Sequence, residues 1–136
     1  MTKVNDIELS NFRNFEYFKS TFNDNLNILF GENGSGKTNI LEGISLIAKG
    51  RGIRNSNIIN FIKNKKENFN IKSKIEIKNS FFDIEIHANK INEKFKKIIK
   101  INDDTSKESL DYLNQSLSFL FFFTRNGKVV SIITNI

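Results

Sequence analysis

Hydrophobic and polar positions alternate in short runs over the first thirty residues, the period of strands rather than of helices. Ile7 and Leu9 alternate with polar neighbours, and residues 16–22 alternate again after Phe12-Arg13-Asn14-Phe15, which predicts two paired strands. Asn23-Asp24-Asn25 is a turn signal, because Asx side chains bond their own backbone. Residues 26–30, Leu-Asn-Ile-Leu-Phe, predict a short strand buried in a sheet. The period then changes. Ile40, Leu41, Ile44 and Ile47 recur at helical spacing, with Gly50 as the C-terminal cap.

Residues 51–70 are polar around an apolar island, Ile58-Ile59 and Phe61-Ile62, which predicts one short helix. Three alternating runs follow: Ile71/Ser73/Ile75/Ile77, Phe82/Ile84/Ile86/Ala88 and Phe95/Lys97/Ile99/Ile101. They predict an antiparallel meander with one wet face, which accounts for its lysines. Residues 106–115 predict a helix with Leu110 and Leu113 on one side, and residues 117–123 a buried apolar strand. The expected organisation is a P-loop core over residues 1–50, a connecting segment over 51–70, an antiparallel sheet lobe over 71–123 and a tail over 124–136.

The core motif is Gly31-Glu32-Asn33-Gly34-Ser35-Gly36-Lys37-Thr38, which fills every fixed position of G-x-x-x-x-G-K-[ST]. Glycines let successive backbone N–H groups point inward at phosphate oxygens, and Gly36 opens a helix whose N-terminal partial charge attracts an anion. Lys37 is placed to reach β- and γ-phosphates, and the Thr38 hydroxyl to ligate Mg²⁺. All eight residues are therefore candidate nucleotide contacts, and the context is right: a strand before the loop and an amphipathic helix after it.

Composition narrows the chemistry. The 136 residues carry no cysteine and one histidine, His87, so thiolate sites are excluded and a Ser-His-Asp triad is barely accommodated. No run approaches the length of a membrane-spanning helix and no secretory leader opens the chain, so the expected home is the cytosol. The formal charge of +6 permits nucleic-acid binding, but 21 Ile, 21 Asn and 17 Lys against two Ala point to an AT-rich genome that supplies lysine freely. The run Ile98-Ile99-Lys100-Ile101-Asn102-Asp103-Asp104 superficially resembles the strand that ends in a second Mg²⁺ ligand; a solvated acidic loop is the favoured reading. His87 reads as structural or exposed, and the aromatics of residues 119–123 as core rather than a base-stacking platform.

Asn11-Phe12-Arg13-Asn14-Phe15, the P-loop continued by Asn39-Ile40-Leu41-Glu42, and Gly50-Arg51-Gly52-Ile53-Arg54 together resemble the start of the RecF family. These are bacterial recombinational-repair ATPases related to SMC heads, and the close match covers about residues 5–56. The resemblance implies an α/β P-loop NTPase of the ABC/SMC-head type, here its N-terminal lobe. It implies ATP and Mg²⁺ held by Gly31, Asn33, Gly34, Gly36, Lys37, Thr38 and Asn39, with Arg13 and Asn14 beside the nucleotide. The alternative for Arg13 is a surface residue in a strand connection. It further implies single-stranded or gapped DNA, RecO, RecR and recombinase as partners, roles in replication, repair and the SOS response, and head-to-head dimerisation.

Family members run to well over three hundred residues and carry a signature motif, an acidic second Mg²⁺ motif and a catalytic glutamate that these 136 residues lack. No catalytic residue is therefore assigned, and ATPase activity is left open. Phe121-Phe122-Phe123 is encodable by an unbroken run of T, and a one-base shift after it yields a reading that resembles the family. That predicts an unpacked, out-of-frame tail from Thr124; the alternative is a genuine strand at residues 129–133. Two further readings stay open: a small non-enzymatic P-loop module that binds nucleotide or a partner, including a gene remnant, and a transporter-type ABC ATPase, which the Asn-Phe-Arg-Asn-Phe element weakens.

Overall fold

A computed structural model describes residues 2–23, 26–49, 57–117, 120–123 and 129–133. The strands are β1 (Thr2–Val4), β2 (Asp6–Phe12), β3 (Phe15–Thr21), β4 (Leu26–Phe30), β5 (Asn68–Ile77), β6 (Ser80–Ile91), β7 (Lys94–Ile101), β8 (Leu120–Phe123) and β9 (Val129–Ile133). The helices are α1 (Lys37–Lys49) and α2 (Lys107–Ser116), with a 3-10 turn at Ile58–Phe61. The two paired strands, the P-loop helix, the short connecting helix and the three-stranded meander therefore all form where the periodicity places them. Gly50 and the Asp24-Asn25 half of the first turn lie outside the described residues.

The main sheet is antiparallel in the order β3-β2-β5-β6-β7, with β1 also paired to β5. The first segment and the meander share one sheet: Leu9 sits opposite Ile71, as Glu8 does opposite Lys72. Its hairpins close tightly because Lys78-Asn79 and Asn92-Glu93 both take positive φ at two successive residues, the geometry that matches strand twist. One face carries Leu9, Ile71 and Ile86 in register, all buried, and α1 packs on its β2 part. Gly43 lets α1 approach: a Cβ there would stand 2.9 Å from Leu9 Cδ2 and 3.2 Å from Ile7 Cδ1.

The other face is wet, as the lysines predict. Across five strands Lys19, Glu8, Lys72, Glu85 and Lys100 stand opposite one another in alternating sign. A groove of about 540 Å³ runs over this ladder and ends among Asp6, Asp83 and Asp103. Its mixed charge favours neither a polyanion nor a polycation. His87 lies half-buried on this face, opposite Asn70 and Ile98. Among the described residues no group of three or more His, Cys, Asp or Glu could hold a metal ion.

Two expectations change. β4 forms, but it is not buried: Leu26, Ile28 and Phe30 are 52%, 61% and 82% exposed, while Leu29 packs against the core. The physical reason is that β4 belongs to a second, three-stranded sheet, β4-β9-β8, and alternate side chains of β4 point away from the core. The second change concerns the tail. Residues Val129–Ile133 form β9, the central strand of that sheet, paired with β4 from Leu26↔Ile133 to Phe30↔Val129 and with β8 on its other side. The unpacked tail is thus replaced over these five residues by the alternative strand; residues 124–128 and 134–136 lie outside the described ones, as does Phe119 of the aromatic run.

Candidate functional site

The phosphate loop begins where β4 ends and closes where α1 starts. Gly34 and Gly36 take φ of 83° and 103°, values that L side chains rarely adopt. At Gly36 space is lacking as well: a Cβ would lie 2.6 Å from Phe15 Cζ and 2.9 Å from Asn14 Nδ2. Gly36→Ala should therefore cost about 1–2 kcal/mol of folding stability and displace the loop. Thermal melting together with nucleotide titration checks this; wild-type values for both would mean that the loop tolerates a Cβ here.

Lys37 is buried, and its Nζ donates to the Gly31 carbonyl at 2.6 Å and the Glu32 carbonyl at 2.7 Å, with Ser35 Oγ at 3.4 Å. An ammonium has three donors, so two are committed to holding the loop and the third is only weakly engaged. Ser35 N–H donates to the Glu32 carbonyl at 3.2 Å, and Ile40 N–H to the Gly36 carbonyl at 3.0 Å, which starts the α1 ladder. The rest of Glu32, Asn33, Gly34 and Ser35 faces solvent, while Thr38 and Asn39 are half-buried. No carboxylate occupies the first turn of α1, so nothing on that turn opposes its positive end.

The β2–β3 connection buttresses the loop from one side. Asn39 Nδ2 donates to Asn14 Oδ1 at 2.7 Å, which ties α1 to that connection. Arg13 has φ of 52°, and its N–H donates to the Phe61 carbonyl at 2.7 Å. Its guanidinium forks onto Glu42: Nε to Oε2 and Nη2 to Oε1, both 2.9 Å. Arg13 is thus not a free surface residue. Sequence reasoning missed that Glu42 and Phe61 hold Arg13; the available signal was a carboxylate inside an otherwise apolar stretch of α1.

The acidic run after β7 sits at the opposite end of the main sheet, since Asn102 N–H donates to the Asp83 carbonyl while Phe12 and Phe15 close the P-loop end. Asp104 there accepts from the Ser109 and Ser106 hydroxyls and the Ser106 N–H, and these bonds, Ser109 first, lower its pKa to about 2. It organises the start of α2, where Ser106 caps Ser109 N–H.

The AAA domain family profile matches residues 6–134. The chain belongs to the AAA-domain family. It is 34% identical over 93 residues to the DNA replication and repair protein RecF of Bacillus mycoides (strain KBAB4), and 36% identical over 93 residues to that of Bacillus cereus (strain G9842). Each alignment covers 68% of this chain and 25% of the relative, so the chain spans about a quarter of their length. A solved structure of the recombination mediator RecF with ATP, from the RecFOR pathway, superposes with a TM-score of 0.71 at 30% identity, over 78% of this chain and 28% of that one. The fold is accordingly that of a RecF-like N-terminal ATPase lobe, with its P-loop helix on an antiparallel sheet.

Proposed function

We propose that this chain binds ATP with Mg²⁺ through Gly31–Thr38 and serves ATP-dependent binding of single-stranded or gapped DNA in cytosolic replication and recombinational repair. The observation that carries the reading is the loop itself: glycines at positive φ, a buried Lys37 beneath it and an α1 start free of carboxylates. Backbone N–H groups and Lys37 would hold the phosphates. The Thr38 hydroxyl would contribute to Mg²⁺, whose remaining ligands would come from phosphates and water, as is common for this ion. Asn14 and Asn39, bonded to each other beside Gly36, would border the nucleotide.

Two features support a role within a larger head. The exposed row of Leu26, Ile28 and Phe30 is an apolar surface of the kind that marks an interface. Lys63, Lys65, Lys66, Lys90, Lys94 and Lys96 belong to the end of the main sheet that holds the P-loop, although Glu16 and Glu67 lie near Lys66 and Lys90. RecO, RecR and recombinase are the proposed partners by kinship to RecF.

Phosphoryl transfer depends on positioning and charge stabilisation, and the described residues display the cradle without a carboxylate held in place to position a water beside it. The chain alone should bind ATP and hydrolyse it at little above the uncatalysed rate. Fluorescence anisotropy with gapped DNA, with and without ATP-Mg²⁺, and a single-turnover hydrolysis assay test both parts. ATP-stimulated DNA binding without turnover is expected. DNA binding indifferent to ATP would favour a nucleotide-binding module of another purpose, and robust turnover abolished by Lys37→Ala would reveal a catalytic base.

A further inference from the structure

Glu42 is the first carboxylate along α1, and its side chain is 0% exposed. It lies four residues after Thr38, so the helical period sets it on the Thr38 face, about 6 Å further along the axis from the phosphate loop. A bare carboxylate there would oppose the positive field that the helix start and Lys37 direct at an anion. It is not bare. Arg13 meets both of its oxygens at 2.9 Å, in the planar, bidentate arrangement that only a guanidinium provides.

Arg13 is itself held through both side chain and backbone. Its guanidinium carbon stands 4.9 Å over the Phe61 ring, and its backbone is pinned to the Phe61 carbonyl in a left-handed conformation. Such a conformation persists only where its surroundings determine it. Glu42 and Phe61 thus take up the fork and one face of the guanidinium, which leaves 19% of the side chain exposed.

We propose that Arg13 is a positioning residue that serves the nucleotide through Glu42. It cancels a buried negative charge beneath the phosphate site and, in the same contact, fixes α1 against the β2–β3 connection. The proposal rests on ATP occupying the P-loop. It differs from a direct contact between Arg13 and ATP, because removing Glu42 should then make Arg13 dispensable.

Three variants decide it: Arg13→Met, Glu42→Gln and the double variant, each titrated with ATP-Mg²⁺ and each followed by thermal melting. Arg13→Met leaves one uncompensated charge below a multiply charged ligand and should weaken ATP binding about tenfold or more. Glu42→Gln keeps the shape and an acceptor for Arg13 while it removes the charge, so ATP should bind as well as to the wild type or tighter. The double variant should recover to within about threefold of wild type. A double variant bound at least tenfold more weakly than wild type would overturn the proposal in favour of direct contact. Weakened binding by Glu42→Gln would overturn it in favour of a purely mechanical clamp. If Arg13→Met does not fold, Glu42→Gln and the double variant still separate the three cases. Lys37→Ala serves as the control: wild-type binding indifferent to it would overturn the nucleotide reading itself, a failure distinguishable from that of the Arg13–Glu42 pair.

Discussion

Replacing Lys37 with alanine should weaken ATP-Mg²⁺ binding by about 1.5–3 kcal/mol, the range of a charge-assisted hydrogen bond. Two effects add. The variant loses the side-chain cation that the loop encloses, whose third donor is held only weakly by Ser35 Oγ and can turn toward a phosphate. It also strips the Gly31 and Glu32 carbonyls of the donor that closes the loop on itself. The backbone N–H groups and the start of α1 persist, so binding should weaken rather than vanish. Calorimetry reads the loss directly, and an unchanged affinity would mean that ATP binds elsewhere.

Phe12→Ala should destabilise the fold by about 3–5 kcal/mol, the cost of emptying a large aromatic site in a packed core. Phe12 is fully buried; it stacks on Phe61 at 5.7 Å between centroids and meets Phe69 edge-on at 5.5 Å. The three rings join β2, the 3-10 turn and β5, and Phe12 immediately precedes Arg13, so the buttress of the P-loop depends on them. A domain of this size holds on the order of 5–15 kcal/mol, and the variant removes a large share of it. Urea melts give the value. A loss below about 1 kcal/mol would show that the cavity collapses and that the aromatic cluster does not organise this end of the sheet.

What the chain disclosed in advance depended on range. The β2–β3 pair, α1 and the three strands of the meander were legible because period and turn residues are local properties. The P-loop was legible because its chemistry lies in eight consecutive residues. How strands distribute between sheets is not local: nothing in Leu26-Asn27-Ile28-Leu29-Phe30 says that its neighbour is β9 rather than a strand of the main sheet, so its apolar content read as burial. The same holds for residues 129–133, a short apolar stretch that becomes the central strand of a sheet only because β4, a hundred residues away, pairs with its other edge. Arg13 and Glu42 are separated by 29 positions, and only the packing of α1 on β2 shows that one answers the other.

Nucleotide bound to this RecF-like lobe should sit in the Gly31–Thr38 loop. Amide chemical shifts followed by NMR as ATP-Mg²⁺ is added test it most directly, because each backbone N–H reports separately. The largest shifts should fall on residues 31–39 and on Asn14, which is bonded to Asn39 beside Gly36. Shifts concentrated instead on the charged ladder from Lys19 to Lys100, with the loop amides unmoved, would contradict it.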